Sequence, residues 1–112
     1  MKGMITRVSP HLEVDMPSLV AFCDKWGISR LGIFGSVLRD DFTTDSDVDV
    51  LVSFLPDRWP SLTQRSVAED ELSAILGYRT EIVIREGLEG WRVRPSVRDS
   101  ILSEVKEVYG HA

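Results

Sequence analysis

A chain of 112 residues predicts a single domain spanning 1–112, with little room for a second domain. Its 43% hydrophobic content with charges of both signs excludes wholesale disorder, and a formal net charge of -5 argues against direct nucleic-acid binding, which relies on clustered Lys and Arg. Apolar runs fall far short of the ~20 residues that span a bilayer, the N-terminus lacks a signal-peptide core, and a lone Cys23 excludes an internal disulfide or a cysteine-based zinc site. A soluble cytoplasmic protein with no membrane attachment is the expectation.

Residues 1–14 carry no clear period, although Ile5 to Val8 fit a short edge strand and His11 falls in a Ser-Pro-His loop. Asp15 can cap the helix that follows, Pro17 suits its first turn, and Leu19, Phe22, Cys23 and Trp26 repeat at helical spacing before Gly27 stops it. Cys23 is therefore expected in the core. Leu31 to Phe34 is a short strand, turning at Gly35-Ser36 into a single helical turn through Arg39. Val48 to Phe54 is a strand rich in β-branched residues and closed by Pro56. Ser61 to Leu76 reads as a helix with Ala68, Leu72, Ile75 and Leu76 on one face and Gly77 as its stop, and Thr80 to Ile84 as a third strand. Pro95 opens a last helix, marked by Val97, Ile101, Val105 and Val108.

This order gives an α/β fold with a small mixed sheet of three to four strands flanked by helices. The first two strands suit an antiparallel return, and the helix between the last two suits a parallel crossover. On that topology Gly35-Ser36, Asp47 with Asp49, and Glu81 all reach one end of the sheet.

Asp47 and Asp49 are two apart, so their side chains share a face while Val48, Val50 and Val52 fill the other. Alone, an Asp-x-Asp more often just ends a strand in solvent. Together the two acids repel, and a hard divalent cation such as Mg²⁺ relieves the repulsion while bridging to phosphates. Gly35-Ser36 permits close backbone approach and offers amides and a hydroxyl to an anion, though by itself it is an ordinary strand-to-helix turn. Arg39 can pair with a phosphate or with Asp40 or Asp41. Glu81 is the third carboxylate, able to complete a metal site or accept a proton, or simply to sit exposed at a strand end. No phosphate loop, dinucleotide fingerprint or His-Glu-x-x-His is present, and His11 and His111 are remote from the acids and read as surface residues.

Gly35-Ser36, ten intervening residues, then Asp47-x-Asp49 resembles the signature of the DNA polymerase β-type nucleotidyltransferase superfamily. The run from Phe34 through Phe42 and from Ser46 through Val52 is similar to its minimal members, the MNT-domain antitoxins of HEPN/MNT toxin-antitoxin systems. The likeness extends from about Leu19 to Tyr109, with its motif core at about 31–85. It implies a polymerase β-like fold and a Mg²⁺-dependent transfer of AMP from ATP to a hydroxyl, with pyrophosphate leaving. Gly35, Ser36, Arg39 and Ser46 would bind the nucleotide. Asp47, Asp49 and Glu81 would hold the metal and carry the chemistry, Glu81 standing where many relatives have aspartate. The partner implied is a HEPN-type ribonuclease toxin modified on a tyrosine, the acceptor being supplied by another chain. The alternative is a catalytically weak or inert module that neutralises the toxin by binding, with Trp59, Trp91, Arg92 and Arg94 as interface anchors.

Overall fold

The computed structural model describes residues 5–89 and 94–110. A hairpin of β1 (Ile5–Ser9) and β2 (Leu12–Asp15) leads into helix α1 (Met16–Trp26), strand β3 (Ile28–Phe34), a 3-10 turn (Gly35–Leu38) and strand β4 (Val48–Phe54). Helix α2 (Leu62–Leu76), strand β5 (Thr80–Ile84), a second 3-10 turn (Arg85–Glu89), helix α3 (Pro95–Glu104) and strand β6 (Lys106–Gly110) follow. Four strands form one mixed sheet in the order β5-β4-β3-β6. β3 runs antiparallel to β4 and β6, and β4 runs parallel to β5, so the expected α/β architecture and strand directions hold.

The alternation in β4 decides how the sheet is covered. Val48, Val50 and Val52 are fully buried on the face that meets Leu19, Phe22 and Cys23 of α1 and Ala68, Leu72 and Leu76 of α2. Each of the Val, Leu and Phe side chains contributes on the order of 1.5–3 kcal/mol by leaving water. Leu51 points the other way into a smaller cluster with Phe34 and Leu88, flanked by half-buried Val83, Ile101 and Val105. Among the described residues no helix is long and apolar enough to cross a membrane.

Ser61 starts α2 with a capping box: its hydroxyl accepts from the Gln64 amide at 3.1 Å, and the Gln64 side chain accepts from the Ser61 amide at 2.9 Å. Asp15 holds the equivalent place before α1, but its carboxylate accepts from the Ser18 hydroxyl at 2.9 Å rather than from a backbone amide. Arg65, Glu69 and Ser73 recur every fourth residue along α2 and lie over strand β5. Glu69 accepts from the Ile82 amide at 2.8 Å, Ser73 accepts from the Thr80 amide at 2.9 Å, and Arg65 donates to the Ile82 carbonyl.

Two expectations are corrected. The last helix stops at Glu104, and Val108, expected on its apolar stripe, lies in β6 against β3. The cause is long-range: without β6, β3 would present a bare edge, and satisfying its backbone outweighs a local period that leaves α3 with no fully buried residue. Gly32 permits the contact, since a Cβ there would fall 2.7 Å from Val105 Cγ2 and 2.9 Å from the Lys106 carbonyl. The N-terminal stretch forms a full hairpin, its second strand carrying the buried Leu12 and Val14 that sequence had left without a period. Trp91 and Arg92 lie outside the described residues.

Candidate active site

Strand register brings the candidate residues together. Phe34, which precedes the turn, pairs with Asp49, and Asp49 pairs with Glu81, so the end of β3 and the starts of β4 and β5 meet at one edge of the sheet. Asp47 stands exposed one residue before β4, and Asp49 is half-buried inside it. Gly35 has φ +85°, and a Cβ on it would lie 2.5 Å from Asp49 Oδ2. Only glycine combines that backbone conformation with so close a carboxylate. Val37, fully buried, pins the turn to the core, and the Arg39 amide closes it on the Ser36 carbonyl at 2.9 Å.

The electrostatics single out Asp49. Its carboxyl is held above the ordinary range, first by burial, then by the Glu81 and Asp47 carboxylates and by Glu104, with Arg39 acting in the opposite direction. Asp47 Oδ1 lies a loose 3.9 Å from Nε of Arg79, whose side chain is 87% exposed. Asp47, Glu69, Arg79, Thr80 and Glu81 line a polar cleft of about 140 Å³. As the side chains lie, no three acids, histidines or cysteines among the described residues close on a single point. Asp49 and Glu81, in register on paired strands, with Asp47 just before β4, are nonetheless the hard oxygen donors a divalent cation takes, and the repulsion raising Asp49 is what such a cation relieves.

The remaining candidates are placed less simply. Arg39 pairs with Asp41 at 3.5 Å, rather than with Asp40, and with Glu104 at 3.2 Å. The Ser46 hydroxyl accepts from the Thr43 amide at 3.1 Å, bracing the loop that precedes β4. Cys23 is fully buried with its thiol pushed up to about 12, chiefly by burial and then by Asp24, which leaves it inert packing as expected. Trp59 is 54% exposed and lines an apolar cleft of about 390 Å³ with Leu62, Val83 and Leu88, sharing no residue with the acidic edge.

Two contributors were missed by sequence reasoning. Glu104, the last residue of α3, accepts from the Gly35 amide at 2.5 Å with the oxygen that also meets Arg39. His11 is half-buried rather than a plain surface residue: its Nε2 is 2.8 Å from the Arg39 carbonyl and its ring packs on Phe42, which packs on Tyr78. The hairpin thus supports the loop after the Gly35 turn. No local signal marks either residue, since they act across 69 and 28 positions of chain respectively.

Residues 19–108 match the nucleotidyltransferase domain family. The protein adenylyltransferase MntA of Thermococcus cleftensis is 33% identical over 78 residues, covering 70% of this chain and 77% of that protein. A Methanocaldococcus jannaschii protein assigned as a protein adenylyltransferase is 31% identical over 84 residues, covering 75% and 83%. A solved structure assigned as a minimal nucleotidyltransferase superposes with a TM-score of 0.62 at 30% identity, covering 82% of this chain and 87% of that one. A toxin-antitoxin crystal structure with AMP-PNP has the same fold, with a TM-score of 0.63 at 15% identity and coverage of 87% and 74%.

Proposed function

We propose, from the premise that this chain belongs to the nucleotidyltransferase domain family, that it transfers AMP from ATP to a tyrosine hydroxyl of a HEPN-type ribonuclease toxin and so acts as its antitoxin. The observation that supports this reading is the Asp49 carboxylate, set against Gly35 and in register with Glu81, so that the Gly35 turn and three acids share one sheet edge. The named activity of the Thermococcus relative and the nucleotide analogue in the toxin-antitoxin structure support it. The proposed compartment is the cytoplasm, in keeping with a single, buried, free thiol.

In this scheme the Gly35 amide, the Ser36 hydroxyl and the Arg39 guanidinium hold the triphosphate, and Ser46 keeps the intervening loop in shape. Asp47, Asp49 and Glu81 would hold Mg²⁺, which when bound would supply positive charge against the phosphates. The acceptor oxygen attacks the α-phosphorus, the bond to the β-phosphate oxygen breaks, and pyrophosphate leaves. Glu81, whose side chain forms no hydrogen bond or ion pair among the described residues, takes the proton of the incoming hydroxyl.

A second reading, a catalytically weak or inert module that neutralises the toxin by binding, draws on the fact that Glu104 already occupies Gly35 and Arg39. Intact-mass measurement of a co-expressed partner toxin separates the two. The enzyme reading expects a gain in AMP units with the wild type and none with Asp47→Ala plus Asp49→Ala. An unmodified toxin that is still neutralised by the double variant would establish the binding module instead.

A further inference from the structure

We infer that Glu104 is an internal competitor for nucleotide, its carboxylate occupying the anion position of the Gly35 turn and yielding it when a triphosphate binds. The inference rests on the nucleotide reading above and adds to it a residue that sets affinity. One oxygen of Glu104 meets both the Gly35 amide, at 2.5 Å, and the Arg39 guanidinium, at 3.2 Å. Those are two of the three donors assigned to the triphosphate. To an amide and a guanidinium, a carboxylate oxygen and a phosphate oxygen are the same kind of acceptor, and both cannot be there at once.

The place of Glu104 in its helix points the same way. It is the last residue of α3, where the helix dipole disfavours a negative side chain. Contact with Gly35 and Arg39 offsets that position, so the carboxylate is held by the turn and not by its own helix. The backbone on either side is fixed independently. Ile101 and Val105 pack against the cluster of Phe34, Leu51 and Leu88, and Lys106 begins the ladder with β3. Release therefore needs only rotation of a side chain that is already 31% exposed.

The test is calorimetric titration of AMP-PNP with Mg²⁺ into the whole protein as wild type, Glu104→Gln and Glu104→Ala. Glutamine keeps the size and an acceptor for Gly35 while removing the charge, and alanine removes both. The expected result is about tenfold tighter binding by each variant, a gain that shrinks as added salt screens the charge. If the wild type binds and both variants bind equally or more weakly, Glu104 builds the turn instead of competing for it, and the inference is overturned while the nucleotide reading stands. If neither wild type nor variants bind AMP-PNP, the nucleotide reading itself falls and takes this inference with it. A melting curve for each variant confirms folding, and the isosteric Glu104→Gln decides the matter should the alanine variant unfold.

Discussion

The two flanks of β4 are built on opposite principles. Toward β3, the Gly35 amide and Arg39 are oriented and already satisfied by carboxylates, Glu104 for both and Asp41 for Arg39. Toward β5, Glu81 stands without a partner among the described residues, and Asp47 and Arg79 meet only loosely at the surface. On the first flank, binding a phosphate exchanges one anion for another at donors that need no reorganisation. On the second, the acids repel one another, and occupation has to bring positive charge with it.

The largest effect is expected where the flanks touch. Gly35→Ala places a methyl group against Asp49 and forces a side chain into a left-handed backbone. It should cost about 1–3 kcal/mol in a denaturant melt and weaken AMP-PNP binding by roughly a hundredfold. Preserved affinity would show that the turn and Asp49 are not one unit. Next in size, Glu81→Gln should lower the rate of AMP transfer about a hundredfold while changing nucleotide affinity far less. Equal losses in both would erase the distinction between the flanks.

The smallest effect concerns stability. Because the folded-state carboxyl of Asp49 is raised, its ionised form costs the protein stability. The cost is absent at a pH below the unfolded-state value, develops as pH rises, and is complete above the folded-state value. Asp49→Asn should therefore melt a few degrees above the wild type near pH 7, with the gap closing toward about pH 3. Coincident melts near pH 7 would mean that the acidic edge is not under strain.

Much of this was legible in the sequence, for local reasons. The bounds of β4 and β5 follow from β-branched runs fenced by turn residues, and α2 from Ser61 and Gly77 at its ends. The meeting of Gly35, Asp49 and Glu81 follows from strand order alone, since one antiparallel return and one parallel crossover force their ends together. What escaped depends on contacts no window contains. Val108 continues the helical spacing of Val97, Ile101 and Val105, and only the edge of β3 draws it into a strand. The choice of Asp41 over Asp40 by Arg39, the reach of Glu104 to Gly35 and the support from His11 are likewise products of the assembled fold.

The row of Arg65, Glu69 and Ser73 along α2 bears on how a second protein can attach. β5 ends the sheet, and a border strand of this kind ordinarily offers a template onto which a foreign strand can add. Here the outward amides of Thr80 and Ile82 and the carbonyl of Ile82 are taken by the helix beside them. At these groups augmentation is obstructed for a partner and for a misfolded copy alike. Whatever docks beside the acids on that side has to read side chains on a helix flank rather than lengthen the ladder.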